Sequence, residues 1–176
     1  DHIVGSLVAG MPPSAVAPLV APATRVSQLI PLPAIAYHVG PIVISPALTP
    51  IVDALEGCGD LIEIEESQIR ILSVTSATMS SFLQYQNTAI DWAVKVGLDH
   101  GVSRDYMTSL YKCLAIETSH TPLENVAHMP MEHETPGGLN EYLRTTLTQA
   151  GMYDAMAQGM DYLYFHKNLA QARDQD

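Results

Sequence analysis

The chain reads as an α/β remnant of a doubly wound sheet followed by an all-α helical domain, and three observations carry that reading. Residues 1 to about 66 alternate short apolar runs with brief helical ones, punctuated by Pro and Gly. From Gln68 the texture changes, and apolar residues recur at helical spacing for about 30 residues with no proline. A hydrophobic content of 47% over 176 residues supports a sizeable core.

Taken in order, Ile3 to Ala9 is a mostly apolar run ended by Gly10, a buried strand. Pro12 and Pro13 stand where a short helix starts without losing a useful N–H, and Pro18 limits it. Arg25 to Ile30 reads as a second strand, stopped by Pro31 and Pro33, which cannot donate to a ladder. Pro41 to Ser45 is a third strand, and Ala47 to Leu55 a helix closed by Gly57 or Gly59. Leu61 to Glu65 makes a last, half-exposed strand. Ser67 or the acid pair before it opens a helix to about Leu98, in which Met79, Phe82, Leu83, Ile90, Ala93 and Val94 keep helical spacing. Six of the nine residues from Ser73 to Ser81 are Ser or Thr, small enough to let another helix approach closely. A helix this long, apolar on several faces, needs a partner, and a homodimer is expected. Ser103 is the expected N-cap of a helix to about Glu117. Thr121-Pro122-Leu123-Glu124 has the form of a capping box opening a helix that ends by Pro130. Leu139 to Ala150 and Met152 to about Ala170 complete the helices.

Eight basic against nineteen acidic residues give a net charge of −11, which argues against nucleic acid or anionic membrane as partner. No apolar run reaches the about 18 residues a membrane span needs. Cys58 and Cys113 lie far apart without metal-like spacing, and a reduced pair in a cytoplasmic protein is favoured over a disulfide. His120, His128 and His133, with Glu132 and Glu134, match no established zinc spacing, so no metal site is expected. Tyr162, Tyr164 and Phe165 suit helix packing better than cofactor binding. The chain opens on Asp1-His2-Ile3-Val4, without an initiator methionine and directly into strand-like sequence, the form expected of a fragment or processed product.

The most informative stretch is Thr135-Pro136-Gly137-Gly138-Leu139-Asn140-Glu141. Proline disfavours helix just before it, glycines admit close backbone approach, and Leu139, Tyr142, Leu143 and Leu147 then open a helix. Backbone N–H groups at such a helix start suit an anion such as a carboxylate, so those of Gly138, Leu139 and Asn140 are expected to be unpaired within the chain. The alternative is a plain turn leading into a helix. No Gly-x-Gly-x-x-Gly between strand and helix is present; Gly57-Cys58-Gly59 closes a helix instead.

Four pieces in order resemble the pyrroline-5-carboxylate reductase family without its N-terminal nucleotide-binding half. Thr135 to Asn140 resembles that family's Ser-Pro-Gly-Gly-Thr/Ala-Thr. Ser81-Phe-Leu-Gln-Tyr85-Gln-Asn-Thr88-Ala89-Ile-Asp91 resembles its Ser-Gly-Pro-Ala-Tyr-Ala-Phe-Thr-Ala-Leu-Asp. In the same register Gly97, Gly101 and Arg104 match its Gly-Val-Lys-Met-Gly-Leu-Pro-Arg. Arg25-Val26 through Ile30-Pro31-Leu32-Pro33-Ala34 resembles its Arg-Val-x-Arg-x-Met-Pro-Asn-Thr-Pro-Ala, one residue shorter.

The resemblance implies the C-terminal half of a Rossmann-like nucleotide-binding domain over residues 1–66 and a helical dimerisation and substrate-site domain over 67–176. It implies NAD(P)H-dependent reduction of an imine C=N, with NADP or NAD bound by the full-length parent. Ala9, Gly10, Pro31 and Leu32 would face the nicotinamide end of the cofactor; ordinary strand-end turns are the alternative. Gly137, Gly138, Leu139 and Asn140 would hold a small-molecule substrate, with Asn140 in the catalytic position where the family has a threonine hydroxyl. An amide does not reach as a hydroxyl does, and Phe82 and Leu83 replace a Gly-Pro turn, so the substrate is expected to differ. Nothing in the chain looks like a nucleophile or an acid–base pair, which fits hydride transfer better than hydrolysis. The rival reading is a non-catalytic dimerisation module or regulatory pseudoenzyme derived from that family.

Overall fold

The structure is a computed structural model, and it describes residues 2–8 and 10–167. It contains a small four-stranded mixed sheet with short helices, followed by a helical domain: a Rossmann-like remnant joined to an all-α part. The chain divides into two compact units, Asp1–Thr75 with Tyr162–Asp176, and Ser76–Asp161.

In the first unit the strands β1 (Ile3–Ser6), β2 (Arg25–Pro31), β3 (Pro41–Ser45) and β4 (Asp60–Glu63) lie side by side in chain order. β1 pairs with β2 in parallel, with Ser6 opposite Gln28, and β3 with β4 in parallel, with Ile42 opposite Leu61. Between them β2 and β3 run antiparallel, with Gln28 opposite Ser45, where a doubly wound sheet would be parallel. The link decides this. Residues 32–40 hold only a 3₁₀ turn (Pro33–Tyr37), and a parallel return needs about a dozen residues or more. The two parallel pairs have room for their crossovers, through helix α1 (Pro13–Val16) and a 3₁₀ turn in one case and α2 (Thr49–Ala54) in the other. Val26, Leu29, Ile42, Val43 and Ile44 form the centre of the core.

Several strand and helix ends differ from expectation. β1 stops at Ser6, not Ala9, because Ser6 Oγ accepts the Val8 N–H and turns the backbone out of the ladder. β2 includes Pro31, opposite Ile42, since a proline at a strand end forfeits no needed donor. α2 starts at Thr49 with Pro50 in its first turn rather than at Ala47, whose N–H is taken by the Glu63 carboxylate.

The expected single helix from Gln68 to Leu98 is broken. A 3₁₀ turn over Glu66–Gln68 leads into α3 (Ile69–Ser76), and α4 (Thr78–Lys95) follows after Ala77. The opening is a capping box between Glu65 and Gln68 rather than a Ser67 cap. The break falls inside the Ser/Thr stretch, where Ser73 Oγ donates to the Ile69 carbonyl and Thr75 Oγ1 to that of Ile71. Hydroxyls bonded back onto the preceding turn bend helices, and these two, just before the break, weaken this one.

The second unit contains α4, most of α8 (Met152–His166), and all of α5 (His100–His120), α6 (Met129–Glu132) and α7 (Leu139–Gln149). α5 is capped by Asp99, whose carboxylate accepts the Val102 N–H, and not by Ser103, which is buried within the helix with Oγ on the Asp99 carbonyl. Asp99 keeps the extended backbone of an N-cap and its carboxylate takes a first-turn N–H, whereas Ser103 is already an interior residue bonded back onto the preceding turn. Thr121 closes α5 instead of opening the next helix, because its Oγ1 bonds the Glu117 carbonyl; a 3₁₀ turn over Leu123–His128 leads directly into α6, which holds Pro130 in its first turn. Residues 168–170, expected to extend the last helix, lie outside the described residues.

Candidate functional site

Thr135 to Gly138 folds as a turn in which the Gly138 N–H donates to the Thr135 carbonyl at 2.7 Å. Pro136 stands at its second position and Gly137 at its third with φ of 73°, the residue order a type II turn demands. A side chain on Gly138 would bring its Cβ to 2.8 Å from the Thr135 carbonyl oxygen. Gly138 is the N-cap of α7, and the Glu141 carboxylate reaches back to accept the Gly137 N–H at 2.5 Å. The expectation of three unpaired donors is therefore corrected for Gly138, whose N–H the turn itself uses. The N–H groups of Leu139 and Asn140 find no acceptor among the described residues, as the first turn of a helix dictates.

Asn140 donates from Nδ2 to the His133 carbonyl at 2.8 Å, and that contact turns its side chain away from the glycines. Asn140 lines a cavity of about 430 Å³ bounded by α4, α5, α6, α7 and α8, with Tyr85, Met107, Leu110, Tyr111, Leu143 and Tyr153 among its walls. Gly137 and Gly138 line a separate cavity of about 350 Å³ with Glu141, Tyr142 and Thr146. Leu139 is 90% exposed and lines neither. The residues singled out in sequence thus divide between two cavities.

The Asn140 cavity is mostly apolar. Phe82 packs edge-on against Tyr111 with ring centroids 5.0 Å apart, and Tyr85 lies 6.4 Å from the same ring. Burial, and secondarily the neighbouring Tyr85, push the Tyr111 hydroxyl above its usual range, so that phenol is neutral and able to donate. Arg144 forms a two-pronged pair with Glu134, Nε to Oε1 and Nη2 to Oε2, and this hydrogen bonding holds the Glu134 carboxyl below the ordinary glutamate range. His133 sits with Nε2 3.3 Å from the Glu117 carboxylate. Sequence reasoning missed Tyr111, Tyr153 and Arg144, which only the packing of separate helices brings together, and weighed Glu134 only as a metal ligand and not as the partner of Arg144. Glu141 carried a usable signal, an acid three residues after an N-cap.

In the sheet unit, parallel pairing places the carboxyl ends of β1 and β2 on one edge. Gly10 follows β1 there, Pro31 ends β2 and Leu32 follows it; Ala9 lies outside the described residues. Gln28, 1% exposed, donates from Nε2 to the Val8 carbonyl in the β1 loop, while its Oε1 is buried without a partner. Among the described residues no group of His, Cys, Asp and Glu side chains gathers as a metal site; His120 Nδ1 lies against the Ile116 carbonyl instead. Both cysteines are free, and no described helix is long and apolar enough to cross a membrane.

Solved structures of pyrroline carboxylate reductases share this fold. The Plasmodium falciparum enzyme, crystallised with NADP bound, superimposes with a TM-score of 0.77 at 16% identity over 93% of this chain. The Coxiella burnetii enzyme gives 0.75 at 15% identity over 92%, and that of Streptococcus pyogenes 0.75 at 13% over 93%. The chain spans 68%, 63% and 66% of those three chains respectively. No protein-family model matches it, and no curated protein matches it in sequence. At these identities the likeness is one of fold.

Proposed function

We propose that the chain is the C-terminal part of an NAD(P)H-dependent reductase acting on an imine C=N, as in the pyrroline-5-carboxylate reductases. The observation that carries this is the Pro136-Gly137-Gly138 turn at the start of α7, in a helical unit whose fold those enzymes share. In this reading residues 1–66 serve the cofactor and residues 67–176 the substrate and the dimer.

The residues present fit one end of the cofactor and not the other. At the edge where β1 and β2 end, Gly10 leaves open space and Gln28 Oε1 offers an unused acceptor beside the Val8 loop. Gly10, Pro31 and Leu32, with Ala9, would meet the nicotinamide end. No helix of useful length begins there: α1 has four residues and prolines at its start, so the described residues hold no pyrophosphate cradle. When bound, the reduced nicotinamide would supply the hydride for reduction of the imine. Asn140 would hold the substrate nitrogen in place of the family's threonine.

This reading predicts that the 176-residue chain by itself binds neither NADH nor NADPH at micromolar affinity in a calorimetric titration. Micromolar binding would mean that the cofactor sits elsewhere. A longer product carrying the glycine-rich half is expected to consume NADPH or NADH with a cyclic imine, and to lose most of that turnover on Asn140→Ala. The internal use of the Gly137 and Gly138 donors favours a second reading, a non-catalytic dimerisation module, and absence of turnover from the longer product would select it.

A further inference from the structure

We infer that the imine accepted by the helical unit is a cyclic iminium bearing an apolar or aromatic substituent and no carboxylate. The inference deepens the reductase reading, and rests on it for the reaction but not for binding. Three independent observations converge on it.

First, the cavity beside Asn140 offers no free positive group to a carboxylate. Arg144 is its one permanent cation, and its fork is occupied by Glu134; His133 faces the Glu117 carboxylate. Second, the turn that would receive an anion already holds one. The Gly137 N–H is on the Glu141 carboxylate and the Gly138 N–H on the Thr135 carbonyl. The N–H groups still open, those of Leu139 and Asn140, directly follow, so a second carboxylate there would stand against the first. Third, the walls suit a cation with apolar bulk. Tyr85, Tyr111 and Tyr153 line the cavity, and aromatic faces attract a positive ring. The His133 carbonyl claims a donor from Asn140, which fixes Nδ2 toward it and leaves Oδ1 as the atom for a ligand. An acceptor oxygen takes the N–H of an iminium and cannot satisfy a carboxylate.

The test is calorimetric titration of the whole chain with 2-phenylpyrrolidine, a stable saturated cation at neutral pH, and with L-proline. The aryl amine is expected to bind at least about tenfold more tightly. Asn140→Ala and, separately, the helix-wall change Tyr111→Leu should each weaken it several-fold without changing the far-ultraviolet circular dichroism, and Glu141→Ala should narrow the gap by strengthening proline. Equal or tighter binding of proline, or no binding of either ligand, overturns the inference. Turnover by the longer product separates the two readings. Preferential reduction of a carboxylate-bearing pyrroline keeps the reductase and sinks this inference. The expected binding pattern without reduction of any imine keeps the site and sinks the reductase.

Discussion

At the scale of single residues the Gly137 turn and the Glu134–Arg144 pair are the places where one atom decides most. Gly137 holds a φ of 73°, which costs a residue with a Cβ about 1–2 kcal/mol. Gly137→Ala is therefore expected to lower stability by about that amount in urea unfolding, and Gly138→Ala by at least as much because its Cβ meets the Thr135 carbonyl. Either variant with unchanged stability would contradict the turn. The folded Glu134 carboxyl titrates below its unfolded value, because Arg144 hydrogen-bonds the charged form. A group depressed in this way stabilises the fold fully above its unfolded value of about 4.3, and the contribution is lost as pH falls through the lower folded value. Glu134→Gln is thus expected to melt below the parent at neutral pH and to converge on it in acid, a trend read from Tm at a series of pH values.

At the scale of elements, the end of α8 is tied down by an arginine from α3. Within the sheet unit, Arg70 donates to the carbonyls of Leu163, Tyr164 and Lys167, and its guanidinium lies 5.5 Å from the Tyr164 ring centre. A helix C-terminus leaves carbonyls unpaired, and a cation there satisfies them and meets the dipole. Arg70→Ala is expected to cost about 1.5–3 kcal/mol, the usual worth of hydrogen bonds to a charged group, with earlier amide exchange confined to the last turn of α8. Arg70→Lys should recover only part, since an ammonium lacks the planar fork that reaches three carbonyls. Equal stability of the parent and both variants would show that the contact carries nothing. The same contacts tie Tyr162 and the described residues after it to the compact unit that runs to Thr75.

At the scale of the whole molecule, the helical unit lacks a core of its own size. Of its apolar side chains only Ile90 and Met129 are buried, whereas Leu83 is 56% and Trp92 65% exposed, and Val94, Tyr142 and Met152 are exposed as well. Full burial of such side chains is worth about 1.5–3 kcal/mol each, so a surface that leaves so many open calls for a cover. The groove of about 680 Å³ along α4, facing Leu143 and Leu147 of α7, offers small residues, Ser80, Ser81, Thr88 and Ala89, where a second helix can seat. A second copy of the chain is the proposed cover, built on α4 as a homodimer. Light scattering at low micromolar concentration is expected to give twice the chain mass, with helicity lost on dilution. A stable, well-folded monomer would refute it.

The sequence by itself determined the order and type of nearly every element, since local chemistry sets these: β-branched runs between prolines, apolar spacing in the helices, and the Pro-Gly-Gly turn before α7. It also carried the fold class, from the change of texture near Gln68 and four short resemblances in the right order. Tertiary structure alone decided what depends on distant partners. The antiparallel seam between β2 and β3 follows from how little chain joins them, and the break at Ala77 from hydroxyls competing for helix carbonyls. The division of Asn140 from the glycines follows from one hydrogen bond to His133, and the aromatic cavity from five helices meeting. Spacing along a chain reports which face a residue takes, but not which distant side chain will claim its hydrogen bonds. Asn140 and Arg144 each found a partner that local pattern did not name, whereas the Glu141 contact with Gly137 lies within one helical turn.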